Sequence, residues 1–114
     1  APGDLDAAFL IIDAALEAME AAGVTRSDAL AALSPLCQAA VANTLTLGPD
    51  AALTGPISRG DAQTVRRNRE GLRAISKESQ DAYCAAGLRT LPIARRRGLP
   101  EPLLAELELA LTET

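Results

Sequence analysis

Leu5, Phe9, Ile12, Leu16 and Met19 recur at steps of four and three residues, with Asp6, Asp13, Glu17 and Glu20 on the opposite side. That spacing predicts an amphipathic helix from about Asp4 to Ala22. Ala7, Ala8, Ala14, Ala15, Ala18 and Ala22 widen its apolar face, so it is expected to pack on more than one neighbour, and Gly23 ends it. Thr25 with Asp28, or Ser27 itself, opens a second helix, in which Leu30, Leu33, Cys37, Ala40, Val41 and Thr44 keep helical spacing to about Leu47. Pro35 interrupts it: either the helix kinks, or Ser34 caps a fresh helix with Pro35 in its first turn, where a missing N–H costs nothing.

The period breaks between Gly48 and Asp61, where Gly48, Pro49, Gly55, Pro56 and Gly60 exclude an uninterrupted helix. This stretch reads as two turns around a short helical piece, with Thr54, Ser58 or Asp61 placed to cap the next helix. From Asp61 to about Ile75 that helix turns Ala62, Val65, Leu72 and Ile75 inward and lays Arg66, Arg69 and Arg73 along an outer, solvated strip. Ser76 to Ser79 breaks and re-caps the chain. Another helix runs through Tyr83, Gly87, Leu91 and Ala94 to Arg97, with Pro92 as a kink and Gly98 as the stop; arginines 95 to 97 sit where the helix dipole favours cations. Leu99-Pro-Glu-Pro is a stiff turn, and Leu103, Leu104, Leu107 and Leu111 make a short terminal helix. The expectation is one all-α domain over residues 1–114, a bundle of about five helices.

Composition agrees. The 48% apolar content comes from Ala and Leu, with one Phe, one Tyr and no Trp, which favours closely packed helices over a β-sandwich. The formal charge of -4 is segregated: acids dominate up to Ser58, bases dominate from Arg59 to Arg97, and the tail is acidic. Such a basic band on an acidic chain fits phosphates or the acidic helices of a second copy, and a homodimer is expected. Nucleic acid is not, since no aromatics interleave with the arginines and the pI is about 4.7. Without His, and with only Cys37 and Cys84, no metal site is expected. The two cysteines read as reduced core residues of a cytoplasmic protein. No apolar run is read as membrane-spanning, no signal peptide is seen ahead of Ala1, and the start without Met reads as a trimmed chain or a fragment.

No glycine-rich dinucleotide turn, phosphate-loop lysine or nucleophile triad is present, so this chain alone is expected to bind no cofactor and to be inactive. The candidate chemistry lies at Thr54, Ser58, Arg59 and Asp61. A helix N-terminus with open N–H groups, a hydroxyl and an arginine can hold a carboxylate or phosphate. The site reading therefore expects a surface turn with main-chain donors open from Ser58 to Asp61. The plainer reading has Ser58 and Asp61 cap the helix while Arg59 pairs with an acid.

Leu-Thr-Gly-Pro-Ile-Ser-Arg-Gly-Asp at 53–61, preceded by Asn-Thr-Leu-Thr-Leu-Gly-Pro at 43–49 and an Ala-rich helix, resembles the helical C-terminal domain of a family of uncharacterised Rossmann-like NAD(P)-dependent oxidoreductases. The resemblance spans Asp4 to Pro100. It implies a fold like the C-terminal domains of pyrroline-5-carboxylate reductase, ketopantoate reductase and 6-phosphogluconate dehydrogenase, which close a substrate cleft and commonly dimerise. It also implies a parent protein in which an N-terminal Rossmann domain binds NAD(P) and this chain is the C-terminal part. Pyrroline-5-carboxylate reductase holds its substrate carboxylate in a Thr-Ser-Pro-Gly-Gly-Thr-Thr turn. Thr54-Gly55-Pro56 lies on the start of that turn and Ser58 near its hydroxyls; the Thr-Thr pair is missing here, and Arg59 and Asp61 are additions. The alternative is a stand-alone helical interaction module.

Overall fold

The computed structural model describes residues 2–113, with side chains from residue 8 onward. Asp4, Leu5, Asp6 and Ala7 therefore lie outside the described side chains. The chain is all-α, with helices α1 (Pro2–Ala21), α2 (Arg26–Leu47), α3 (Pro49–Ala52), α4 (Ala62–Arg73), α5 (Lys77–Arg97) and α6 (Glu101–Thr112). α2 and α5 run unbroken through Pro35 and Pro92, so Ser34 caps no second helix. Thr25 caps α2 by accepting from the Asp28 N–H at 3.2 Å, and Ser76 caps α5 by accepting from the Ser79 N–H at 3.0 Å.

The core lies among α4, α5 and α6. Leu107, Val65, Ala94 and Ala110 are fully buried, and Leu91, Leu104 and Leu111 nearly so. α6 is thus the central apolar element and not a short appendage. α5 and α6 approach closely because position 87 has no side chain: a Cβ there would stand 2.6 Å from Leu111 Cδ2. Arg69 corrects the sequence reading. Placed on the outer strip there, it is 3% exposed in the structure and donates to the Ala110 carbonyl at 3.3 Å and to the Glu113 carboxylate at 3.2 Å. Arg66 closes on the same carboxylate from 2.9 Å. Two arginines of α4 therefore clamp the C-terminal end of α6, where the dipole and the unpaired carbonyls attract cations.

α1 and α2 form an arm that uses little of its apolar surface. Among the described side chains of the expected α1 stripe only Leu16 is buried, while Phe9 is 69% exposed. On α2 only Ala29 is buried, and Cys37 is half-buried on the arm instead of sitting in the core. The arm is held to the body by Glu17, whose carboxylate accepts from the Ser76 and Ser79 hydroxyls, both at 2.6 Å. These bonds hold the Glu17 carboxyl below the ordinary glutamate range. A folded pKa depressed below the unfolded one contributes stability that is present above the unfolded pKa and lost as pH falls through the folded one. The contact should accordingly weaken on acidification below the usual glutamate range. Hydrogen exchange of α1 should show faster opening there in the wild type, whereas Glu17→Gln should show the faster opening at neutral pH with little further acid dependence.

The arm leaves the molecule open. A chain of 11.8 kDa is expected to expose about 5,900 Å² when folded, and this one exposes 7409 Å². Its Cα radius of gyration is 14.5 Å, where about 13 Å is usual for the length. α2 also corrects the expectation that no apolar run is membrane-spanning: by length and composition alone it is long and apolar enough to cross a membrane. Ser34, Pro35 and Gln38 interrupt the apolar run, but no charged residue lies between Ala29 and Pro49.

Candidate functional site

The turn between α3 and α4 is anchored from both sides. Arg96 makes a bidentate contact with the Asp50 carboxylate at 3.0 and 3.2 Å, and Arg97 donates to the Asp50 and Ala51 carbonyls at 2.8 and 2.9 Å. With Arg95 paired to Glu101 at 2.9 Å, each of the three terminal arginines of α5 has a partner beyond the helix dipole. Leu53 and Ile57 pack against the core from the turn itself.

Within the turn, the N–H groups of Arg59 and Asp61 both donate to the Pro56 carbonyl, at 3.2 and 2.9 Å, and that of Gly60 donates to Ile57 at 3.1 Å. The expected row of open donors from Ser58 to Asp61 is therefore not there: a tight coil of the chain consumes three of the four. Gly60 makes the coil possible, because its φ is +72° and a Cβ would meet Leu103 Cδ1 at 2.9 Å. The Ser58 hydroxyl donates to the Gly55 carbonyl at 2.7 Å and pins the turn. Asp61 caps α4, accepting from the Thr64 N–H at 3.1 Å and the Thr64 hydroxyl at 2.7 Å. Those two bonds, with smaller help from Arg59 and Arg67, lower the Asp61 pKa.

Thr54 and Arg59 remain outward. Arg59 is 62% exposed, and its contact to Asp61 is 3.9 Å, too long for a hydrogen bond. The structure thus brings Ser58, Arg59 and Asp61 onto one short turn at the surface. Ser58 and Asp61 are committed to holding it, and Arg59 and Thr54 are the groups free to meet a ligand. A guanidinium on a rigid turn can bind a carboxylate or phosphate through two parallel N–H bonds.

Of the concavities among the described residues, two lie beside α5, away from the turn. One, of about 230 Å³, is an apolar cleft between α1 and α5, lined by Ala14, Ala15, Ala18, Ala82 and Ala86 with Tyr83; the short alanine side chains leave the gap between the helices unfilled. The other, of about 450 Å³, is polar and lined by Arg69, Arg73, Lys77, Gln80, Asp81 and Glu113. Its charges largely answer one another, with Lys77 on Asp81 at 2.9 Å and Arg69 on Glu113. Among the described residues no cluster of three or more His, Cys, Asp or Glu could hold a metal ion. Both cysteines are free thiols, and burial pushes the Cys84 thiol up.

The family model described as "Domain of unknown function (DUF2520)" matches residues 7–90. The chain belongs to the DUF2520 family. The match takes in the arm, the turn and α4, and stops within α5, so the DUF2520 region includes every candidate site residue but not α6, which fills the centre of the core. No curated protein and no solved structure matches the chain.

Proposed function

We propose that this DUF2520 domain is the dimerising and cleft-forming part of a two-domain NAD(P)-dependent oxidoreductase, with the dinucleotide bound by a Rossmann domain of the same polypeptide. The single observation that supports a partner-building role is the arm: Phe9, Leu10, Ile11, Leu36, Val41, Leu45 and Leu47 are each more than half exposed. An exposed apolar face of this extent marks a contact surface, and a second copy covers it by symmetry. The oxidoreductase assignment rests on the resemblance carried by residues 53–61 and on the chemistry of the turn, whose outward Arg59 suits an acidic substrate.

In the full-length protein, Arg59→Ala should raise KM for an acidic substrate about tenfold or more while leaving the melting temperature within a few degrees, since an exposed ion pair is worth about 0–1 kcal/mol. NAD(P)H oxidation assayed beside thermal melting reads both. A lower melting temperature with unchanged kinetics would assign Arg59 to the scaffold alone. An absence of NAD(P)H binding by the full-length protein would leave the stand-alone interaction module, which the same exposed arm also suits.

A further inference from the structure

We infer that a second copy of this chain seats its own α2 antiparallel along the trough on the α1–α2 arm, with the two-fold axis passing beside Cys37 and Gln38. This rests on the dimer reading above and specifies its geometry. The trough has two halves. One lies between α1 and α2 and is lined by Ile12, Leu30, Leu33 and Ser34; the other runs along α2 and is lined by Val41, Ala42 and Leu45. Cys37 and Gln38 line both halves, so they mark the centre of a strip about 22 Å long.

In an isologous interface each patch contacts itself, and the axis runs through the patch centre. An antiparallel crossing there sets the groove half of one copy on the ridge half of the other, so that Leu30 faces Leu45 of the partner subunit. It opposes the two helix dipoles. It also separates the charged ends: Glu20, Arg26 and Asp28 lie about the α1–α2 turn, where Arg26 pairs with Glu20 and reaches back toward Asp13 at 3.8 Å, and a parallel pairing would stack that cluster on its own copy. The stretch between is free of charge from Ala29 to Pro49, the depletion that marks the centre of an interface. The excess exposed surface, about 1,500 Å² by the size scaling above, exceeds the roughly 800 Å² per partner of a standard interface. A lipid surface is the less suited occupant, because Gln38 would sit at the centre of the buried strip, where only a protein partner offers it hydrogen bonds.

Cysteine cross-linking tests this on the whole chain. In a Cys84→Ser background, copper-phenanthroline oxidation should convert the protein to a disulfide-linked dimer through Cys37. With Cys37→Ser and Cys84→Ser in place, a mixture of Leu30→Cys and Leu45→Cys chains should cross-link, while each alone should not; Leu30, Cys37 and Leu45 lie on the arm, outside the folded core, and Cys84 is a half-buried residue of α5. Self-linking of Leu30→Cys would overturn the antiparallel arrangement. A dimer mass by light scattering without any of these cross-links would overturn the placement on α2 and leave the dimer reading standing. A monomer mass would remove both, and monomers that co-sediment with phosphatidylcholine vesicles would assign the arm to a bilayer.

Discussion

Leu107→Ala should cost about 2–5 kcal/mol of folding stability, whereas Leu109→Ala, two residues along the same helix, should stay within about 0.5 kcal/mol. Leu107 has no exposed surface and sits among Val65, Ala94 and Leu104, while Leu109 is 58% exposed. Truncating Leu107 opens a cavity that α4 and α5 cannot close, because Arg66 and Arg69 hold α6 at its far end and Gly87 already brings α5 against Leu111. Urea unfolding at one fixed protein concentration reads both variants, since a dimer's apparent stability depends on concentration. Equal, small effects at the two positions would mean that α6 is not the centre of the core.

Val41→Glu should act on association instead of folding. Val41 is 58% exposed in the isolated chain, so a charge there costs the monomer little. In the proposed dimer it is covered, next to the trough half that meets Leu33 and Ser34 of the partner subunit. An unpaired carboxylate in that position should cost at least about 2 kcal/mol of association, near a thirtyfold weaker Kd. Sedimentation velocity across a dilution series reads the change, with far-UV circular dichroism as the check that helicity is kept. An unchanged Kd would show that this face of α2 is bare in the dimer.

Helical periodicity located the elements well, because capping residues and breakers sit where the chain turns: Thr25, Ser76 and Gly98 do in the structure what their types predict. It could not say which elements share a core. Arg69 shows why. It falls four residues after Val65 and three before Leu72, on the inward face, yet its charge groups it by type with Arg66 and Arg73. Only the carbonyl of Ala110 and the carboxylate of Glu113, more than forty residues away in sequence, let an arginine point inward there. The same limit applies to the arm. The stripe of Leu5, Phe9, Ile12, Leu16 and Met19 marks an apolar face of α1, but a single chain's sequence does not distinguish a face covered from within from one left open in the isolated chain, as Phe9 is. At residues 53–61 the turn and the Asp61 cap were legible from residue types. The loss of open donors was not, because it depends on the coil closing onto the Pro56 and Ile57 carbonyls.

The central claim is that the α1–α2 arm is an interface and not a free surface. Light scattering coupled to size exclusion, at tens of micromolar protein, tests it most directly. The account predicts a mass of twice the 11.8 kDa chain, little changed at high salt because apolar burial dominates; a monomer mass at that concentration would contradict it.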